Sequence, residues 1–270
     1  MGKKRRNISI AVFSFFILLF TAGSIFTGGF SGEKEPIQEV MRDAVLHEGA
    51  KVSFLGIKDV NPGLISAFAV TAVIFVFALI VRIFVIPKFK IIPGRLQLLL
   101  EQAVGLFDDL AKTNSPWRNS FLGAYIFTAG AYIFIGTLFE LLGLQALTTT
   151  GGSISMPAPL SDINGAICMG CLSYLIILSG GIAVNGIKGV GKTLKEFSLP
   201  LSMSFRLFGA LLSGALVTEL VYYYANLSYV FPVLVGVLFT LLHALIQAYV
   251  LTLLTAIFYG QVTAPSEKKH

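Results

Sequence analysis

The sequence predicts an all-α integral membrane protein with five core membrane helices, an amphipathic helix on the cytoplasmic face and an extra apolar segment at the N-terminus. Three observations predict it. Hydrophobic residues make up 55% of the 270-residue chain and charged residues only 13%, with a mean hydropathy of +0.81. A soluble domain carries about 25% charged residues, so the charges here cannot cover a 29.1 kDa globule. Apolar stretches long enough to span a bilayer, about 20 residues each, recur along the chain. Lys and Arg gather in alternate connections between those stretches. An ordinary cytosolic enzyme, a disordered chain and a nucleic-acid binder are thereby excluded, despite a formal net charge of +6. Cys168 and Cys171 both lie in an apolar stretch, which excludes a secreted disulfide framework.

Taken in order, the first apolar stretch runs from Ile8 to about Phe30, behind Lys3, Lys4, Arg5 and Arg6. Residues 1–30 read as a removable leader or as an additional span. Residues 31–63 are polar and mixed in charge, an outer-side soluble segment. The membrane domain follows over 64–260, opening with a span from about Leu64 to Ile86. A basic stretch comes next. Within it Leu96, Leu99, Leu100, Ala103, Val104, Phe107 and Leu110 recur at helical spacing, which predicts an amphipathic helix lying on the membrane face. Further spans are expected at about Phe121–Leu147, Asp162–Val184, Leu199–Ala225 and Phe231–Tyr259. The uncharged connection 148–161 and the basic connection 185–198 read as loops, and 261–270 as a tail.

The N-terminus holds four Lys or Arg, 82–119 holds six, 185–198 three and the tail two; 31–63 holds four and 148–161 none. The positive-inside rule then puts the N-terminus, the 87–119 connection, the 185–198 connection and the C-terminus in the cytoplasm.

Two motifs mislead. Gly186-Ile-Lys-Gly-Val-Gly191-Lys192-Thr193 fits the phosphate-loop pattern, but that motif works between a buried strand and a helix, and here there is no room for a nucleotide domain. The segment reads instead as a flexible basic cytoplasmic loop. Cys168-Met-Gly-Cys171 lies in mid-span without further Cys or His to complete a zinc site, and reads as packing.

Glu140, Arg206, Glu219 and His243 are the ionisable residues left inside predicted spans. Each costs at least about 2.5–3.5 kcal/mol to insert when charged, and such residues usually mark an ion or substrate path; the plain alternative is a packing ion pair. Arg206 cannot lose its proton. At 100° per residue, Gly209, Ala210, Ser213 and Gly214 fall within about 80° of its direction, a face nearly bare of bulk where another helix could approach. Glu219 points about 140° away from Arg206, roughly 20 Å further along. His243 and Gln247, four apart, share a face of the last helix. Glu219 and His243 together could relay a proton or ion.

The stretch Pro200-Leu-Ser-Met-Ser-Phe-Arg206-Leu-Phe-Gly209, with Ile246-Gln247-Ala248-Tyr249-Val250-Leu-Thr-Leu-Leu-Thr255, resembles subunit a of F-type ATP synthases. Pro93-Gly-Arg-Leu-Gln97 with Glu101, Leu142-Gly143-Leu144, and Pro159-Leu-Ser-Asp162-Ile-Asn164 extend the resemblance over about 64–260. It implies last two helices that are long and tilted against a rotating ring of c subunits, and two offset half-channels for protons or sodium ions. It implies that Arg206 is the essential ion-gating arginine with Gln247 as its partner, and that Glu219, His243, Glu140 and Asp162 border the ion path. Gly209, Ala210, Ser213 and Gly214 would then face the ring. The implied partners are c-ring subunits, b-type peripheral stalk subunits and the lipid bilayer, in a bacterial-type plasma membrane. No nucleotide, nucleic acid, metal or cofactor is implied, and the chain would be no enzyme by itself. Departures from the family pattern stand at Ala210, where Asn is frequent, and at Ala215, where a channel acid or His sits; Glu219 lies one turn outward of Ala215. An independent transporter would show an internal repeat with broken helices, and none is visible. An intramembrane metalloprotease would need several ligands at one metal, and one His in a span does not supply them.

Overall fold

The computed structural model describes residues 36–46, 51–54, 57–147, 153–224 and 231–264, with scattered positions between 12 and 22. Apart from those positions, the segment expected as leader or extra span lies outside the described residues, as do residues 265–270 of the tail.

The chain runs from α1 (Ile37–Leu46) through a hairpin of β1 (Val52–Phe54) and β2 (Ile57–Val60) into α2 (Pro62–Ile80). α3 (Arg95–Asn114) and α4 (Ser120–Leu141) follow. A second hairpin pairs β3 (Gln145–Leu147) with β4 (Ser153–Ser155). Then come α5 (Ile163–Leu194), α6 (Ser198–Tyr223), α7 (Phe231–Val235), a π-helical stretch (Gly236–Leu241) and α8 (Leu242–Thr263). Five helical runs are long and apolar enough to cross a membrane: Pro62–Lys88, Ser120–Leu141, Ile163–Leu194, Ser198–Tyr223 and Pro232–Thr263. The protein is an all-α, multi-pass membrane protein.

Local chemistry sets the helix starts. Asn61 accepts from the backbone N–H of Gly63 (2.8 Å) with Pro62 in the first turn, and so caps α2. Asp162 caps α5 by accepting from the N–H of Asn164 at 2.7 Å. α4 stops where Gly143 takes φ 60°, a left-handed conformation that Gly adopts without strain. Within the spans, hydroxyls bond back to their own helix: Thr137 to the Ile133 carbonyl, Thr252 to Ala248 and Thr255 to Leu251. No water is available in a bilayer core, so this internal pairing removes a cost of several kcal/mol per group.

α4, α5, α6 and α8 pack together around Ile133, Met169, Met203, Leu207 and Leu251. α2 packs at the edge against α4 and α5 and leaves Phe68, Phe75 and Phe77 exposed, as is Phe84 just beyond it, an apolar surface suited to lipid. α1 packs against α6.

Three connections differ from the sequence expectation. Segment 148–161 is not all loop, because Ser153–Ser155 pairs with Gln145–Leu147 in register Ala146↔Ile154, which satisfies backbone groups that side-chain hydropathy does not report. Segment 185–198 is not a flexible loop either. Gly186 takes φ 57° and ψ −136°, the chain reverses, and residues 187–194 run as helix back along α5. Gly189 rests on the Gly181 backbone, where it could not carry a side chain, and the Tyr174 hydroxyl donates to the Thr193 carbonyl at 3.0 Å. The amphipathic stripe of α3 is used only in part. Phe107, Leu110 and Ala111 pack against neighbouring helices, whereas Leu96, Leu99 and Val104 stay exposed. Gln97 ties the turn before α3 by bonding both backbone groups of Lys90 (3.0 and 2.9 Å) and Glu101 (2.8 Å).

Candidate functional site: two faces of one helix

α6 is helical without a break from Ser198 to Tyr223, so residue spacing translates directly into direction. Met203, Leu207 and Leu211, spaced by four, are buried in the core. That stripe turns Arg206 outward. Arg206 is exposed, and among the described residues none forms an ion pair or hydrogen bond with it. Beside it Gly209 and Ser213 are exposed and Ala210 is half-buried. The Ser213 hydroxyl donates to the Ala210 carbonyl (2.8 Å), so this face presents little free polarity apart from the guanidinium.

Gly214 corrects the sequence reading. It was expected on the same open face but is buried, and a Cβ there would meet the Phe239 carbonyl oxygen at 3.8 Å. At about 80° from Arg206 the helix surface has already turned toward the last span.

The opposite face of α6 borders a cleft of about 570 Å³. Leu212, Ala215, Thr218, Glu219 and Tyr222 line it, all within about 60° of the direction opposite Arg206. Glu140 joins Glu219 there from the end of α4, with Ser155 and Ser161 from the second hairpin and its exit, and Gly236 and Thr240 from the π-helical stretch. Gly236 is close-packed here, since a Cβ would meet the end of the Leu141 side chain at 2.9 Å and make it shift. The cleft thus unites two acids that the sequence keeps far apart.

Among the described residues, four buried side-chain atoms lack a hydrogen-bond partner: Ser66 Oγ, Glu140 Oε2, His243 Nδ1 and Gln247 Oε1. Three of the four belong to residues singled out in the sequence. A buried unpaired polar group costs about 1–3 kcal/mol, so at each of these four atoms the fold gives up stability.

His243 does not line the cleft. Its ring lies parallel to that of Phe239 (6.1 Å between centroids, 7° between planes), one turn earlier on the last span. Thr240, three residues before it, does reach the cleft. No ion pair joins His243 to Glu219. Gln247 is 7% exposed, on the helix that packs against α6. Asp162 stands apart, engaged as the cap of α5 with Gly63 against its Cβ. Sequence reasoning missed Thr240, Thr218 and Tyr222, since neutral hydroxyls inside apolar stretches carry no hydropathy signal, and the two serines, since the connection 148–161 was read only as loop. It also missed Asp43 of α1, which lines the cleft from outside the span region.

The misleading motifs are accounted for locally. Thr193 of the phosphate-loop pattern is buried and donates to the Gly189 carbonyl (3.0 Å), and Lys192 Nζ donates to the Ala264 carbonyl (3.4 Å). Cys168 and Cys171 are free and exposed on α5. Among the described residues no group of three His, Cys, Asp or Glu converges as a metal site.

A family model described as ATP synthase A chain matches residues 64–260. Two curated relatives, each described as ATP synthase subunit a, come from Cereibacter sphaeroides strains ATCC 17025 / ATH 2.4.3 and ATCC 17029 / ATH 2.4.9. Both are 26% identical over 180 residues, covering 62% of this chain and 69% of theirs.

Proposed function

Since the chain belongs to the ATP synthase A chain family, matched over residues 64–260, we propose that it is the stator of a rotary membrane sector and that the two faces of α6 divide its labour. The family's subunit a translocates ions within the membrane sector and is not itself catalytic. The finer assignment rests on one observation: Arg206 stands on an open, small-residue face, while Glu219 and Glu140 share a cleft on the opposite face.

In this reading the open face meets a ring of c subunits, with Gly209, Ala210 and Ser213 at the contact. A ring carboxylate is costly when charged in lipid but tolerable opposite a fixed guanidinium. Arg206 attracts the deprotonated carboxylate, yields it to the incoming proton or sodium ion, and blocks direct leakage between two half-channels. Gln247 offers a neutral donor and acceptor on the neighbouring helix. The cleft serves as the outer half-channel, with Glu219 and Glu140 along it, His243 one turn beyond Thr240, and Asp162 near its border. A proton crossing 100 mV releases about 2.3 kcal/mol, so several must be pooled per ATP, which rotation accomplishes. The charge asymmetry of the connections supports a cytoplasmic C-terminus; a bacterial-type plasma membrane and b-type stalk subunits as further partners rest on the family reading alone.

The test is Arg206→Ala in the assembled synthase. Coupled ATP synthesis should vanish while ATP hydrolysis by the detached soluble head survives. Arg206→Lys should also fail, because a point charge does not replace the planar fork. Vigorous ATP-driven pumping by Arg206→Ala would sink the mechanism.

A further inference from the structure

Where the first span ends, the chain carries cations and no acid. Arg82, Lys88, Lys90 and Arg95 occur in 82–100 without an Asp or Glu among them. All four are exposed, and among the described residues none of them forms an ion pair. The next acid along the chain, Glu101, accepts a hydrogen bond from Gln97 Nε2 (2.8 Å).

The same stretch turns large apolar side chains outward. Ile91 is 102% exposed and Ile92 86%, and Leu96 and Leu99 follow at the start of α3. Gln97 clasps this turn. Its Oε1 accepts from the Lys90 N–H (3.0 Å) and its Nε2 donates to the Lys90 carbonyl (2.9 Å), so the backbone at Lys90 is tied to α3 with Ile91 and Ile92 between the tied points.

Span length sets the depth of the turn. The run Pro62–Lys88 has 27 residues, about 40 Å of helix at 1.5 Å per residue. Centred in a hydrocarbon core of about 30 Å, its end stands roughly 5 Å beyond the acyl chains, at the level of the lipid phosphates. Ile83 and Phe84 are exposed just before that level, so the apolar turn continues the surface that α2 offers to lipid. Arg82 reaches the same level by extending along the span. Apolar side chains beside unpaired cations complement acyl chains beside phosphates.

We propose that the turn 88–95 is a seat for anionic phospholipid. Ile91 and Ile92 enter the acyl boundary, while Lys88, Lys90 and Arg95 hold the phosphates of headgroups such as phosphatidylglycerol. Gln97 is a positioning residue, because its clasp keeps the apolar pair and the cations together.

The test uses the assembled synthase in vesicles of phosphatidylglycerol and phosphatidylcholine in equal parts. With Cys168→Ser and Cys171→Ser in place, Ile91→Cys carries an environment-sensitive fluorophore. One lipid or the other carries a nitroxide quencher high on its acyl chain. Phosphatidylglycerol should outnumber phosphatidylcholine around the label by about threefold to tenfold at low salt. The ratio should fall toward one at high salt, a check that needs no further substitution. Lys88→Gln, Lys90→Gln and Arg95→Gln together should bring it to about one, and Gln97→Ala, which removes no charge, should roughly halve it.

An even ratio at low salt overturns the proposal, as does a preference that survives both high salt and the triple substitution. A ratio unmoved by Gln97→Ala means that net charge alone attracts the lipid, and the clasped seat falls. Absence of quenching by either lipid means that water or a protein partner covers the turn, which also overturns it.

Discussion

Glu140 and Glu219 line one cleft from two different helices, on the side of α6 turned away from Arg206. If that cleft carries ions, removing either charge should slow uptake before it disturbs assembly. Glu219→Gln should lower proton pumping severalfold in fully assembled complexes, and Glu140→Gln should do the same. Two single variants that pump at the wild-type rate would make the acids structural.

His243 is predicted to matter less than Glu219. Its ring is stacked on Phe239 and does not border the cleft. His243→Ala should therefore cost packing as well as transport. The check compares thermal stability of the purified complex with pumping rate. A variant that keeps full stability yet loses all pumping would place His243 directly in the path.

Cysteines substituted at Gly209 and Ser213 should crosslink to cysteines on the ring's outer helix, since both positions are exposed beside Arg206. A cysteine at Glu219 should not. Gly214 behaves differently. Gly214→Leu pushes into the Phe239 backbone, and overpacking of this kind costs about 1–3 kcal/mol. The expected signature is a lowered melting temperature with weak crosslinking to the ring. Efficient crosslinking from position 214 with unchanged stability would mean that α6 is rotated from the orientation described.

Gly189→Ala probes the reversal after Gly186. The new methyl would land on the Gly181 carbonyl, so the returning helix must lift away. Asn185 Nδ2 donates to the Val262 carbonyl (2.7 Å) and Lys192 Nζ to the Ala264 carbonyl (3.4 Å), so lifting also releases the end of α8. Limited proteolysis after residue 260 should accelerate in this variant, while Gly191→Ala, with open space at its Cβ, should leave the rate unchanged.

The spans were legible because a bilayer demands about 20 apolar residues and hydropathy measures that directly. The direction of Glu219 was legible because α6 is unbroken, so 100° per residue holds from Arg206 onward. Gly214 was misplaced because periodicity gives directions, not what occupies them, and at about 80° the decision belongs to the neighbouring helix. Segment 185–198 was misread because Lys188, Lys192 and Lys195 end the apolar run while the helix resumes beyond Gly186. The π-helical stretch at Gly236–Leu241 breaks the periodicity just before His243. Asp43 was invisible as a site residue because only the packing of α1 on α6 brings it to the cleft.

The exposure of Arg206 also bears on biogenesis. A permanently charged side chain facing hydrocarbon costs about 2.5–3.5 kcal/mol or more, and no described residue of the chain neutralises it. If a ring of partner subunits covers that face, a newly inserted copy carries an uncovered charge until it assembles. Orphaned copies should be recognisable to membrane proteases by this one residue, and synthesis ahead of the ring should lead to turnover rather than accumulation. The charge proposed to serve the complex would then also limit the lifetime of the subunit outside it.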